Sequence, residues 1–322
     1  MQYDLEQLFY ESAKDPASAY IVTARGAKDA ARAAAEFCMR LFCDSHTGCG
    51  ACSGCRKFRT GNTIDYLVLG AEGPVLMDDV RAVPAFLSVA SYEKGYRCIH
   101  FRDAQNLTPQ VQNYLLKSIE EPPEGAVFMF SLDNRERLLP TVRSRCLEIH
   151  IPPRPTAALM KMLEGQVPPE RMGYAAAWSY GSYAEAEKLA RDEELAELRN
   201  RAESICVRMA TKRNPSFFTM EKDMLSAGKR LTDMLYAMIF LFRDAALYKI
   251  GQRQPLNPDK SAAFKRIAQG FTTPQLRCII DLVVKACERK QESPWLRDDL
   301  LVKGLLFDIL EVKHGKCDRC AI

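Results

Sequence analysis

The chain has 322 residues, too many for one ordinary hydrophobic core and enough for two or three. Its 47% apolar and 27% charged residues exclude a disordered chain, and its longest strongly apolar run, Leu235–Phe242, is far shorter than the ~20 residues a membrane span needs. A net charge of +4, with the 45 basic residues spread along the chain, excludes a basic block that would grip a phosphate backbone unaided, so any nucleic-acid contact is shared with partners. The amino terminus has neither a basic start nor an apolar core, so a secretory signal is not expected and the chain is placed in the cytoplasm.

In chain order, Met1–Lys14 carries Leu5, Leu8 and Phe9 at helical spacing, Ala19–Thr23 reads as a buried strand, and the alanine-rich Asp29–Phe42 as a helix. That helix leads into Cys43, Cys49, Cys52 and Cys55. In a large chain with no secretory signal, thiols stay reduced, and metal binding is a better reading than disulfides. Four thiolates on a glycine-rich loop complete the closed tetrahedral shell of structural zinc, which the spacing favours. The rival is an iron–sulfur cluster, but the fourth cysteine lies upstream and Arg56-Lys57-Phe58 stands where a ferredoxin motif continues to Cys-Pro. A cluster of free thiols is the third possibility, and His46 could replace one thiolate but is read as a solvated loop residue. Cys317 and Cys320 have only His314 nearby, one ligand short of a shell, so 314–322 reads as a tail.

Asp65–Leu69 predicts a second strand, Asp78–Ala90 a single helix despite Pro84, and Tyr96–Phe101 a third strand. Thr108 is a good N-cap with Pro109 at the first helical position, opening a helix that stops at Glu121-Pro122-Pro123. Ala126–Phe130 is a further strand. Strands separated by helices predict a parallel sheet covered on both faces, in a nucleotide-binding type of architecture spanning 1–152. After the proline cluster at 152–155 strand signals stop. Residues 153–205 read as a small helical domain and 206–313 as an all-helical domain, joined near Thr211–Pro215. In the latter, Leu231, Met234, Leu235, Met238, Phe242 and Ala245 share one helix face, widened by Phe240 and Leu241.

The run from Arg97 to Cys146 contains Leu115-Leu116-Lys117-Ser118-Ile119-Glu120-Glu121-Pro122-Pro123 and, after the following strand, Ser144-Arg145-Cys146. These phrases resemble those of the clamp-loader branch of the AAA+ (RecA-like) superfamily. The resemblance implies an α/β parallel-sheet domain with an inserted zinc module, then a helical lid and a helical collar that assembles with other subunits. Its motifs lie in residues 19–152.

Against that family the phosphate site is degenerate. A working P-loop needs several glycines whose N–H groups cradle phosphates, a lysine, and a Ser or Thr hydroxyl on magnesium. The turn here, Thr23–Ala30, has Gly26 and Lys28, but Asp29 stands in the hydroxyl position. Asp103 is followed by Ala104 where active relatives have the glutamate that prepares the attacking water. Gly181-Ser182-Tyr183-Ala184 resembles the second sensor with alanine in place of its arginine. Weak or absent nucleotide binding is expected, and the combination is similar to the delta-prime family of the bacterial DNA polymerase III loader. The resemblance then implies a non-hydrolysing subunit assembled with gamma/tau and delta. It would help load the sliding clamp onto primer-template DNA, with Arg145 as an arginine finger reaching the ATP of the adjacent gamma/tau subunit. Two alternatives stay open. One is a gamma/tau-like ATPase with an unorthodox P-loop, disfavoured by Asp29 and Ala104. The other is a freestanding zinc-containing nucleic-acid binder, which leaves both motifs unexplained.

Overall fold

The computed structural model describes residues 5–92, 95–211, 215–252, 254–293 and 295–315. Cys317, Cys320 and the centre of the expected join, 212–214, lie outside the described residues. The chain divides into two compact units, Met1–Arg154 and Pro155–Ile322.

In the first unit the order is α1 (Leu5–Lys14), β1 (Ala19–Thr23), α2 (Ala27–Leu41), α3 (Ser53–Arg59), β2 (Tyr66–Leu69), α4 (Met77–Arg81), α5 (Val83–Ser88), β3 (Arg97–Phe101), α6 (Pro109–Glu120), β4 (Ala126–Leu132), α7 (Pro140–Arg143) and β5 (Leu147–His150). The five strands form one parallel sheet in the order β2-β3-β4-β1-β5. Alternation along the strands divides the core into two layers. Ile21, Ile99, Phe101, Phe128 and Phe130 join Val111, Leu115 and Ile119 of α6, while Tyr20, Val22, Cys98, Val127 and Met129 join Phe9 of α1 and Phe37, Cys38 and Leu41 of α2. Phe101 and Phe130 stack with centroids 4.9 Å apart, tying β3 to β4 just before the turn that holds Asp103. Thr108 caps α6 by accepting from the Val111 N–H at 3.3 Å, as its sequence predicts.

Two local expectations are corrected. The single helix over Asp78–Ala90 is two short helices separated at Ala82, because Pro84 cannot donate within a continuing helix and instead occupies the first turn of α5. The cysteine loop also contains a helix, α3, whose N-cap is Cys52 itself.

The second unit is all-helical: α8 (Thr156–Leu163), α9 (Pro169–Trp178), α10 (Tyr183–Arg191), α11 (Glu193–Thr211), α12 (Phe217–Leu225), α13 (Leu231–Lys249), α14 (Ser261–Gly270), α15 (Thr273–Glu292) and α16 (Asp298–Lys313). Its centre is α13, where Leu231, Met234, Leu235, Met238, Phe242 and Ala245 are all buried, together with Leu241; Phe240 packs edge-on against Trp178 with centroids 4.7 Å apart. A buried polar network runs beside this core. Asp244 accepts from the backbone N–H groups of Leu256 and Asn257, and Asn257 accepts from Arg199, whose guanidinium also pairs with Asp259 and lies over the Tyr174 ring. Each charge there has a partner, which is the condition under which buried charge is tolerated. Among the described residues no helix is long and apolar enough to cross a membrane.

Candidate functional site

The turn after β1 passes through Gly26, which caps α2 in an extended conformation (φ −132°, ψ 143°) without a side-chain hydrogen bond. In the first turn of α2, Asp29 is 5% exposed, and its carboxylate lies 3.9 Å from the Arg154 guanidinium; Lys28 is exposed. A helix N-terminus favours an anion. Here the anion is the protein's own carboxylate, with its own arginine as counter-ion. Arg154, inside the proline cluster, gave no such signal in sequence, since its partner is fixed only by the fold.

After β3 the chain turns through Asp103 in the left-handed region (φ 50°), a conformation aspartate tolerates. Ala104 behind it is fully buried. Asp103 faces a cleft of about 300 Å³, lined also by Gly70, Val75, Arg102, Asn106 and Leu107. In the second unit, Ser182 caps α10 by accepting from the Glu185 N–H at 3.1 Å, after Tyr180 and Gly181 with positive φ; Ala184 stands in the first turn.

Ser144, Arg145 and Cys146 link α7 to β5. The Ser144 hydroxyl donates to the Thr141 carbonyl at 3.2 Å and accepts from Arg145 Nη1 at 3.1 Å. Nη1 also donates to the Thr141 carbonyl at 2.9 Å, while Nη2 lies 2.6 Å from Glu120 Oε1 at the end of α6. Arg145 and Glu120 remain 38% and 44% exposed. Cys146 packs inward against the layer containing Leu115, and burial, then the charge of Glu148, pushes its thiol up to about 12. The motif therefore has a neutral inward anchor and an outward guanidinium. Glu120 belongs to the Glu-Glu-Pro-Pro phrase, yet its pairing with Arg145 was not read from sequence.

The structure brings Cys43, Cys49, Cys52 and Cys55 together, their sulfurs all within 4.8 Å of one another. Left-handed turns at His46, Gly48 and Gly50 fold the loop back on α3. Gly54 rests on the Phe42 carbonyl so closely that a Cβ would sit 2.0 Å from its oxygen. Cys43 and Cys52 sulfurs are 3.9 Å apart, near the ~3.8 Å edge of a tetrahedron with 2.3 Å zinc–sulfur bonds. The Cys52 N–H points at Cys49 Sγ and the Cys55 N–H at Cys52 Sγ, both at 3.4 Å. Burial raises the Cys43 thiol, but hydrogen bonds from the Ser45 hydroxyl and the Cys49 and Ser45 N–H groups outweigh it and bring it down to about 5. Burial, followed by proton sharing with Cys52 and Cys43, holds Cys55 up at about 12. Four thiolates cannot coexist here without a cation; one divalent ion fits the donor set and spacing. An iron–sulfur cluster places its thiolates on separate irons and would spread the sulfurs further.

The family model described as DNA polymerase III, delta subunit, matches residues 2–155. The chain is 27% identical to DNA polymerase III subunit delta' of Escherichia coli (strain K12) over 274 residues, 82% of this chain and 79% of the relative. It is 24% identical to DNA polymerase III subunit delta' of Bacillus subtilis (strain 168) over 266 residues, 80% of this chain and 78% of the relative. Similarity to DNA polymerase III subunit tau of Escherichia coli (strain K12), 29% identical, is confined to 105 residues, 33% of this chain and 16% of the relative. The match to delta' thus extends well past the sheet unit into the helical one, and over most of its length the chain is similar to the delta' subunits of DNA polymerase III.

Proposed function

We propose that this chain is a non-hydrolysing subunit of the clamp loader, assembled in the cytoplasm with gamma/tau and delta subunits, which helps the ATP-driven loading of the sliding clamp onto primed DNA. The observation that carries this reading is the buried Asp29 in the first turn of α2, paired with the Arg154 guanidinium. A carboxylate in that turn repels a polyphosphate and removes the hydroxyl that would hold magnesium, so Gly26, Lys28, Asp29 and Asp103 form a relic instead of a working site. DNA and clamp are met through the complex, in keeping with the modest charge of +4.

Chemistry is lent to a neighbour through Arg145. Its exposed guanidinium supplies charge to the phosphoryl group of ATP held by the adjacent gamma/tau subunit, while Ser144 fixes its rotamer and Cys146 anchors the loop. Such a group is worth roughly 10³ to 10⁵ in rate at the site it serves, or about 4–7 kcal/mol. Zinc held by Cys43, Cys49, Cys52 and Cys55 would have a structural role, pinning the loop between α2 and α3. Residues 153–205 are proposed as the lid, 206–313 as the collar and 314–322 as a tail. ATP turnover by the reconstituted loader tests the reading: Arg145→Ala lowers turnover with the assembly intact, and an ATPase of this chain alone would favour the gamma/tau-like alternative.

A further inference from the structure

We propose that Glu120 is a positioning residue for the arginine finger, holding the Arg145 guanidinium in the orientation it needs across the subunit interface; this rests on the finger reading above. An arginine side chain has four rotatable bonds, and a guanidinium that acts on a transferring phosphoryl group must be held before the neighbour arrives. Arg145 has five N–H donors. Nη1 spends two on the Thr141 carbonyl and the Ser144 hydroxyl, and Nη2 spends one on Glu120 Oε1. Nε–H and one Nη2–H are left for phosphoryl oxygens, which suits the paired geometry that arginine offers to phosphate. The guanidinium is therefore oriented by Glu120 without being used up by it.

The position of Glu120 supports the same conclusion. It is the last residue of α6, where the helix dipole disfavours a carboxylate and favours a cation. Arg145 offsets that cost. Pro122 and Pro123 follow directly, so the helix stops there and the carboxylate is held at a fixed place relative to the Ser144–Cys146 loop. Both side chains are exposed, so the pair is not a core element, and its loss leaves the sheet unit folded.

The test is steady-state ATP hydrolysis by the loader reconstituted with wild-type chain, Glu120→Gln, Glu120→Asp, Arg145→Ala or the double variant Glu120→Gln/Arg145→Ala, with melting curves confirming each fold. The expected result is that Glu120→Gln lowers kcat about three- to tenfold with the KM for ATP unchanged. Glu120→Asp, which keeps the charge, restores most of it. In the Arg145→Ala background Glu120→Gln adds nothing. Wild-type turnover in Glu120→Gln alongside a loss in Arg145→Ala overturns the positioning role and spares the finger. An equal fall from Glu120→Gln in both backgrounds makes Glu120 merely structural. Unchanged turnover in Arg145→Ala removes the finger itself, and the positioning role with it.

Discussion

His100, in the middle of β3, gives the first unit a pH dependence that can be calculated. Its ring is 1% exposed, with Nδ1 2.7 Å from the Tyr66 hydroxyl and Nε2 2.8 Å from Ser131 Oγ. One proton arrangement satisfies the whole chain of bonds: Tyr66 donates to Nδ1, Nε2–H donates to Ser131, and Ser131 donates to the Phe101 carbonyl. Burial keeps the Tyr66 phenol protonated well above its usual range, so it stays a donor. A proton added at Nδ1 would face that donor in a dry core. Burial, and then the nearby Arg102 charge, lower His100 from 6.5 to about 3.

The unfolded chain therefore binds a proton that the folded chain refuses between those values. Stability from this group is complete above pH 6.5 and is lost as pH falls toward 3, at about 1.4 kcal/mol per pH unit. Between pH 6.5 and 5.0 the loss is roughly 2 kcal/mol. Urea unfolding of the wild type and of His100→Gln at pH 7.5 and 5.0 measures it as a difference of differences, in which the carboxylates and cysteine cluster cancel. His100→Gln is less stable at pH 7.5 but loses about 2 kcal/mol less on acidification. Equal losses in the two proteins would refute the argument, because His100 would then titrate as an ordinary exposed imidazole.

Three further outcomes concern the cysteine module and the first turn of α2. In the cysteine module, Gly54→Ala forces the Phe42 carbonyl and α3 more than 1 Å apart, costing about 1–3 kcal/mol. It also speeds metal loss to a chelator, whereas Gly73→Ala, with open space around it, changes neither. Metal analysis of the wild type should give one zinc per chain, lost on Cys43→Ser; iron with visible absorption would overturn the assignment. At the turn after β1, if Asp29 excludes nucleotide as proposed, saturating MgATP leaves the melting temperature of the isolated chain unchanged, since a ligand that does not bind the folded state cannot stabilise it. An upward shift would mean that Asp29 and Arg154 move aside for nucleotide.

What sequence conveys here depends on the range of the interaction. β1, β3 and β4 are legible because they are buried on both faces and so run largely apolar, as parallel strands do, and α6 because Thr108-Pro109 and Pro122-Pro123 punctuate it. α3 is not legible, since Ser53–Arg59 has only Cys55 and Phe58 to give a period and is started by Cys52, which sequence reasoning assigns wholly to metal. β5 has a single fully buried residue, Ile149, too little to stand out. The four cysteines announce themselves because they are close in sequence. Glu120 and Arg154 do not, because their partners Arg145 and Asp29 are 25 and 125 positions away, and only the fold brings them together.

Lending an arginine to a neighbour while hydrolysing no ATP itself is the role proposed for this chain. The most direct measurement is ATP turnover on primed DNA with clamp, for this chain alone and for gamma/tau plus delta with wild-type or Arg145→Ala chain. The expected result is no turnover by the chain alone, a rise on adding wild type, and a much smaller rise with Arg145→Ala in an assembly of unchanged composition. Turnover by the chain alone, or an equal rise with both forms, would contradict it.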